Sequence, residues 1–199
     1  MISKTELIEC AITKFTMFGS KRVTLDELSH ELGISKKTIY KYFKTKEDLV
    51  AESVLYLLQS FSKEIESYNF DNDPLEKVIL IYKKGFEYLK YFKPSFLFGL
   101  KKYYPSVYIL FEKFRDELIN EKILKLLSEA KTKGFIKKDV NLELVCKIYF
   151  LSLDNVVFSE TSLFDEYTEK DLLQHLIINN LRGIVSNGYT NQFIKKLTS

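Results

Sequence analysis

The 199-residue sequence contains no tryptophan and few of the residues that interrupt helices. Seven glycines and three prolines are a small number for a chain of this length. Because glycine and proline mark turns and end helices, their scarcity argues against a protein of many short strands. Period-two alternation of apolar and polar residues persists nowhere in the chain. We therefore predict an all-α protein with long helices.

Cysteine and histidine are equally scarce, with two residues of each. Cys10 and Cys146 do not amount to a disulfide framework, so a reduced, cytoplasmic setting is expected. His30 and His175 lie on separate predicted helices and lack the fixed spacing of a metal site. There is no glycine-rich phosphate loop either. We expect no metal, no cofactor and no catalytic residue, and we interpret the chain as a protein that is not an enzyme.

Long apolar runs are also missing from the sequence. Lys, Glu or Asp interrupts every apolar segment before it reaches the roughly 20 residues of a membrane span. No N-terminal stretch combines a basic start, an apolar run and a cleavage site, so no secretory signal is expected. The composition, 46% hydrophobic and 29% charged, is typical of globular proteins. We expect no membrane partner.

Capping residues mark the beginnings of the helices. Ser3 and Thr24 are each followed three residues later by glutamate, which is the capping-box pattern. Ser35 and Thr45 are further N-caps, and proline or an N-cap opens most of the later segments. We predict helices over 3–18, 24–32, 35–42, 45–67 and 74–91, a short one from 94, and further helices over 105–134, 141–158 and 168–187.

The segment TLDELSHELGISKKTIYKYF, from Thr24 to Phe43, has the pattern of a helix-turn-helix. Gly33 suits the positive-φ corner between the helices, and apolar residues give the pair an inner face: Leu25, Leu28, Leu32, Ile34, Ile39 and Phe43. From Gly33 to Lys46 there are five lysines and no acid. Lysines neutralise phosphates and hydroxyls bond to them, so the second helix is predicted to enter the DNA major groove. The alternative is a solvated lysine face.

This combination of motifs resembles the N-terminal domain of the TetR family of transcription regulators. The resemblance covers about the first 50 residues and includes Phe18-Gly19, the turn ELGIS at 31–35, TIYKYF at 38–43 and KEDL at 46–49. It implies an all-α fold of about nine helices. A three-helix DNA-binding domain is expected at 1–46, and a helical domain for dimerisation and ligand binding at 47–199.

The resemblance also implies roles for individual residues. Phosphate contacts are expected from Thr24, Ser35, Lys36, Thr38, Tyr40, Tyr42 and Lys46. Base contacts are expected from Lys37 and Lys41. Many family members carry a small residue, often glycine, at the position of Lys37, so the preferred operator sequence cannot be transferred from the family. For Tyr40 and Tyr42, packing within the small domain is the alternative.

The helix predicted over 141–158 is apolar on two faces, one with Cys146 and Tyr149 and the other with Ile148 and Leu151. A helix of this kind is buried on both sides. In the TetR family the last two major helices form a four-helix bundle with their symmetry mates. We therefore expect a homodimer through about 141–158 and 169–187, which would set two recognition helices about one DNA turn, roughly 34 Å, apart.

Aromatic residues are plentiful, with 13 Tyr and 16 Phe. Several of them can line a ligand cavity between helices, and we take as candidates Tyr82, Phe86, Phe96, Phe98, Tyr103, Phe111, Phe114 and Phe150. The alternative is that these side chains only fill the core.

Together these features predict a sequence-specific DNA-binding regulator of transcription, a repressor that a small, largely apolar effector releases from its operator. Two alternatives remain, a helical protein-interaction module that does not bind DNA and, with less in its favour, an enzyme. Steep salt dependence of duplex binding would support the regulator, and a flat dependence would support the module.

Overall fold

The computed structural model describes residues 2–67, 73–89, 94–158 and 163–190. These ranges are helical throughout, with connecting turns and no strand. One isolated antiparallel bridge joins Ile136 and Val185. The predicted all-α class is confirmed.

Six helices form the N-terminal half, and their bounds agree with the predicted ones to within two residues. They are α1 (Lys4–Phe18), α2 (Leu25–Glu31), α3 (Lys36–Tyr42), α4 (Lys46–Ser67), α5 (Pro74–Leu89) and α6 (Pro94–Tyr103). Complete capping boxes open α1 at Ser3 and α2 at Thr24. Because each N-cap oxygen accepts from a first-turn amide that has no partner inside the helix, these starts are readable from sequence.

The C-terminal half contains two features that the sequence analysis missed. The predicted helices over 105–134 and 168–187 each include a π-helical segment, and a short extra helix precedes the second of them. The elements are α7 (Pro105–Glu117), a π-helical segment (Leu118–Ile123), α8 (Leu124–Thr132), α9 (Leu142–Phe158), α10 (Leu163–Glu166), α11 (Glu169–Leu172), a second π-helical segment (Leu173–Ile178) and α12 (Asn179–Ile184). A single wide turn hardly disturbs the apolar periodicity, so the sequence pattern does not reveal it.

The first of two compact units contains residues 1–63 and 91–114. In it α1 packs against α6, and α2 packs against α3. Its largest fully buried side chains are Leu7, Phe15, Leu28, Ile39, Phe43, Leu49, Phe96, Leu97 and Leu100. Burying each such side chain stabilises the fold by about 1.5–3 kcal/mol, which holds the α2–α3 pair in place.

The second unit contains residues 64–90 and 115–199. In it α5 packs against α8 and the second π-helical segment, and α9 packs against α8. The α9 helix buries Cys146 and Tyr149 but exposes Ile148 and Leu151. One of its two apolar faces therefore lies in the core of this unit, and the other lies on its surface.

The predicted domain boundary between residues 46 and 47 coincides with the start of α4 and stays a prediction. In the parts of the chain that the structure describes, every helix is too short or too polar to cross a membrane.

Candidate nucleic-acid interface

Backbone hydrogen bonds close the turn between α2 and α3. The amide of Ile34 donates to the carbonyl of Ser29 at 2.9 Å, and the amide of Gly33 donates to that of His30 at 3.1 Å. Gly33 has a φ of +61°, which non-glycine residues adopt only at a cost. A Cβ atom here would meet nothing within 4 Å. The constraint at Gly33 is therefore backbone conformation and not crowding.

The short recognition helix α3 has one buried and one exposed face. Ile39 and the following Phe43 are buried, as the sequence analysis predicted. The exposed residues of α3 include Lys37, Tyr40 and Lys41. Because Tyr40 and Lys41 follow Lys37 by three and four positions, the three side chains lie on the same side of the helix. The α3 helix thus presents two cations and a phenol to solvent, and its apolar side chains hold it against the unit.

Ser35 and Thr38 form the N-cap of α3. The amide of Thr38 donates to the Ser35 hydroxyl at 3.3 Å, and the two hydroxyl oxygens lie 3.1 Å apart. One hydroxyl donates to the other, so the second keeps its hydrogen for an outside acceptor such as a phosphate oxygen. The geometry is compatible with the phosphate contact expected from this pair.

Thr24 is more fully engaged in its own cap. Its hydroxyl accepts from the amide of Glu27 at 3.1 Å and donates to the Glu27 carboxylate at 3.1 Å, while its amide donates to the same carboxylate at 2.6 Å. The hydrogen bonds from the backbone and then the side chain of Thr24 lower the pKa of Glu27. A phosphate contact from the Thr24 hydroxyl would require it to leave Glu27, and this assignment stays a prediction.

Lys36 is paired within the unit, with its Nζ 2.7 Å from Oδ1 of Asp26. The hydrogen bond that Lys36 donates to Asp26 raises the pKa of Lys36. Both side chains are exposed, and an exposed ion pair contributes only about 0–1 kcal/mol, so a phosphate can displace Asp26. Lys37 and Lys41 have no carboxylate within 4 Å in the described ranges.

The hydroxyl of Tyr42 points back to the beginning of the chain and donates to the carbonyl of Ile2 at 2.9 Å. Its ring lies 6.4 Å from the ring of Phe43, measured between centroids. The only hydrogen of the phenol is therefore used inside the unit. This contact supports the alternative that the sequence left open for Tyr42, packing of the small domain.

Lys46 opens α4, and its Nζ donates to the carbonyl of Lys21 at 3.2 Å. Partial burial, and then the charge of Lys21, lower the pKa of Lys46. The structure thus brings Lys21 beside a predicted phosphate contact, and Arg22 is the next residue in the chain. Neither residue was predicted from the sequence, although a basic pair separated from the cap at Thr24 by only Val23 was a usable signal.

The two units differ in charge. The first contains fourteen basic and nine acidic side chains, a net charge of +5, and the second contains sixteen basic and eighteen acidic ones, a net charge of −2. The chain total of +3 conceals this difference. A net positive unit attracts the phosphate backbone and speeds encounter with DNA.

The eight aromatic residues proposed to line an effector site are divided between the units. In the first unit Phe96 and Phe111 are buried and Phe114 is half-buried, whereas Phe98 and Tyr103 are exposed. An enclosed ligand site removes its lining side chains from solvent. The positions of Phe98 and Tyr103 therefore count against that assignment, since both lie on the surface of the unit.

In the second unit Tyr82 and Phe86 are buried, and the guanidinium of Arg115 lies 4.1 Å from the ring centroid of the half-buried Phe150. The ring of Tyr82 contacts Tyr149 edge-on, with centroids 6.0 Å apart. Both phenols are buried, and neither hydroxyl has a hydrogen-bond partner in the described residues. Burial raises the pKa of both. Unsatisfied buried hydroxyls are uncommon, and Tyr149 was not among the effector-site residues predicted from the sequence.

Comparison with known proteins identifies the N-terminal segment. Residues 4–53 match the family model described as bacterial regulatory proteins, tetR family. The chain is 29% identical to the HTH-type transcriptional regulator YvaF of Bacillus subtilis (strain 168) over 173 aligned residues. The alignment covers 82% of this chain and 86% of that protein.

Solved structures resemble the whole fold. The fatty acid degradation regulator FadR from Bacillus halodurans superimposes with a TM-score of 0.72 at 21% identity, covering 92% of this chain and 100% of that one. FadR from Bacillus subtilis in complex with stearoyl-CoA gives a TM-score of 0.67 at 18% identity, again over 92% and 100%. At these identities the likeness establishes a shared fold.

Proposed function

The chain belongs to the TetR family of bacterial regulatory proteins, and on this premise we propose that it is a homodimeric repressor that an apolar effector releases from operator DNA. Its family and relatives are transcription regulators, not enzymes. The observation that carries the proposal is the exposed face of α3. There Lys37, Tyr40 and Lys41 stand free of the unit's core, and Ile39 is buried behind them.

In this proposal α3 enters the major groove, with Lys37 and Lys41 facing base edges. A lysine bonds to the O6 and N7 acceptors of guanine. The cap residues Ser35 and Thr38, with Tyr40, bind phosphate oxygens beside them. Tyr42 instead supports the domain through its bond to Ile2.

The proposed dimer forms through α9 and through the consecutive elements α11, the second π-helical segment and α12. Leu144, Ile148 and Leu151 are 54%, 48% and 61% exposed, and their spacing of four and three residues places them on one face. Each contributes up to about 1.5–3 kcal/mol when a partner covers it. In a two-fold symmetric dimer each contact of this apolar stripe occurs twice. A short stripe is therefore enough to support a stable dimer.

The proposed effector is a long-chain acyl thioester bound in the second unit. Two FadR structures share the fold, and one of them holds stearoyl-CoA. The buried hydroxyls of Tyr82 and Tyr149 would donate to polar atoms of such a ligand, whose chain would lie among apolar side chains. An effector that prefers the conformer unable to bind DNA shifts the population toward it, by no more than its difference in affinity.

DNA binding is tested by selecting bound duplexes from random DNA and measuring the affinity of the protein by fluorescence anisotropy. Tyr40→Ala combined with Lys46→Ala is expected to abolish binding and leave the circular dichroism spectrum unchanged. A matched control combines Tyr167→Ala with Lys138→Ala, because Tyr167 is 53% exposed and Tyr40 is 52% exposed. Unchanged affinity of the first variant at physiological salt, or a flat salt dependence of the wild type, would contradict the proposal.

The effector is tested by adding stearoyl-CoA to the preformed complex, with coenzyme A alone as the control. We expect release of the duplex by the thioester only. If both compounds leave the complex intact, the effector assignment is wrong and the DNA-binding assignment stands.

A further inference from the structure

We propose that a second surface of the first unit binds phosphates of duplex DNA beyond the segment contacted by α3. We call this surface the Tyr103 patch and define it as Lys21, Lys101, Lys102 and Tyr103. The inference rests on the proposed function, because it extends the DNA contact of a protein already proposed to bind an operator.

The patch forms because α6 approaches the end of α1 closely. A Cβ atom built on Gly19, where φ is +87°, would lie 3.4 Å from the carbonyl oxygen of Ser95. One built on Gly99 would lie 3.3 Å from Oγ of Ser20. Larger side chains would separate the two segments. The two glycines thus bring the turn after α1, with Lys21, beside α6.

Two lysines lie against the exposed ring of Tyr103, and a third lies against the ring of Tyr108. Nζ of Lys21 lies 5.1 Å from the ring centroid, and Nζ of Lys102 lies 5.3 Å from it. Nζ of Lys101 lies 5.7 Å from the ring of Tyr108. An exposed cation–π contact contributes about 0.5–1 kcal/mol. The rings therefore hold the ammonium groups in place without neutralising them.

No carboxylate neutralises the patch. In the ranges that the structure describes, Lys21, Lys101 and Lys102 have no acidic oxygen within 4 Å. The acids near its edge are engaged elsewhere, Glu47 with the hydroxyl of Ser106 at 2.9 Å and Glu27 in the cap of α2. Three like charges that have no counterion among the described residues are suited to an anionic partner.

Continuity with the proposed operator contacts favours duplex DNA as that partner. Lys46 is an expected phosphate contact, and its Nζ donates to the carbonyl of Lys21. Thr24 follows Lys21 by three positions. The row from Lys46 through Lys21 to Lys102 therefore extends a predicted phosphate-binding surface, and the backbone of DNA repeats its charge along its whole length. An anionic membrane shares the charge, but continuity with the helix-turn-helix does not favour it.

The test compares the selected minimal duplex with the same duplex lengthened at both ends by about one helical turn, roughly 10 base pairs. Lys101→Ala combined with Lys102→Ala should lower affinity for the long duplex several-fold and affect the minimal one little. The slope of log affinity against log salt on the long duplex should fall by about 0.9 for each phosphate that the variant no longer neutralises. Lys125→Ala combined with Lys138→Ala, two exposed lysines of the second unit, is the matched control and should behave as wild type.

Substitutions of Tyr103 test whether the aromatic ring contributes by positioning the lysine ammonium groups, because they leave the charge of the patch unchanged. Tyr103→Phe keeps the aromatic face and should retain binding to the long duplex. Tyr103→Leu removes the face that orders two ammonium groups, and we expect a smaller decrease in affinity than in the lysine variant. Circular dichroism and thermal melting confirm that each variant is folded.

The possible outcomes distinguish this inference from the proposed function. If the wild type selects a duplex and the Lys101/Lys102 variant binds both lengths as wild type does, only this inference is overturned. It is also overturned if that variant loses binding to phosphatidylserine vesicles and keeps its DNA affinity. A wild type that selects no duplex overturns the proposed function and this inference with it.

Discussion

The hydroxyl of Tyr42 donates to the carbonyl of Ile2 at 2.9 Å, joining residues 40 positions apart. The bond fastens the end of α3 to the residues before α1. Tyr42→Phe is expected to lower the free energy of unfolding by about 0.5–1.5 kcal/mol, measured by urea denaturation. Tyr40→Phe is the control and should leave stability unchanged, because the Tyr40 hydroxyl makes no hydrogen bond in the described residues. Equal stability of the Tyr42→Phe protein and the wild type would show that the bond is unimportant.

Lys36 and Lys37 are neighbours with different expected roles. Lys37→Ala should cost about 1–3 kcal/mol on the preferred duplex and relax the preference at one base pair. Lys36→Ala should weaken binding to all sequences alike and reduce the salt slope by about 1. Affinities for a set of single-base variants of the selected duplex distinguish the two patterns. A Lys37→Ala protein with unchanged sequence preference would place that lysine away from the bases.

The exposed stripe of α9 makes the dimer testable. Leu151→Lys is expected to convert the proposed dimer to a monomer, because a charge within an apolar interface loses its hydration. Sedimentation velocity measures the change. Ile109→Lys on α7 is the matched control, since Ile109 is 64% exposed and Leu151 is 61% exposed. A Leu151→Lys protein that remains dimeric would place the interface elsewhere.

An ion-pair network in the second unit predicts acid sensitivity. Nζ of Lys84 lies 2.5 Å from Glu64 and 2.6 Å from Glu87, and Tyr88 donates to Glu64 at 3.0 Å. The hydrogen bond from Lys84 holds the pKa of Glu64 below its ordinary value of 4.5. A carboxyl whose pKa is lowered by folding adds stability above its unfolded pKa, and this stability is lost as the pH falls through the folded pKa.

Glu64→Gln should therefore reduce stability at neutral pH and flatten its decline below about pH 4.5. Urea denaturation at a series of pH values measures both effects. Glu143→Gln is the control, because Glu143 is exposed and has no ion pair in the described residues. If the two variants show the same pH profile, Glu64 does not contribute to acid sensitivity.

Removing either buried hydroxyl of the Tyr82–Tyr149 pair is expected to maintain or raise the stability of the protein and to lower its affinity for the proposed effector. Tyr82→Phe and Tyr149→Phe each remove a buried hydroxyl that has no partner in the described residues. Removing such a group is neutral or stabilising, by up to about 1–3 kcal/mol. Stearoyl-CoA affinity, measured by calorimetry, should fall, because each variant has one donor fewer for the ligand. Unchanged affinity in both variants would remove these hydroxyls from the effector site.

Local features of the sequence were sufficient to predict most helices and the exposed, lysine-bearing face of α3. A capping box at Thr24, a glycine turn and a lysine-rich helix act over a few residues, so their pattern survives without knowledge of the fold. The assignments of Ile39 and Phe43 to the core are confirmed for the same reason. Periodicity also predicted two apolar faces on α9, of which one is buried in the second unit.

Contacts between distant residues could not be predicted. Tyr42 and Tyr40 have the same side chain two positions apart, and only the position of Ile2 gives them different environments. Lys21 is separated from Lys102 by some eighty residues, and the packing of α6 on α1 brings both to Tyr103. Phe98 and Tyr103 were expected to line a cavity because aromaticity does not indicate which side of a helix will be covered.

The sequence alone determined the helical class, the helix-turn-helix and the lysines and hydroxyls of α3, because caps, periodicity and turn residues depend on near neighbours in the chain. The tertiary structure decided which hydroxyls are already used, which apolar face is left uncovered and where lysines from separate segments meet. Those properties depend on long-range packing, in which each side chain competes for partners that the local sequence does not contain.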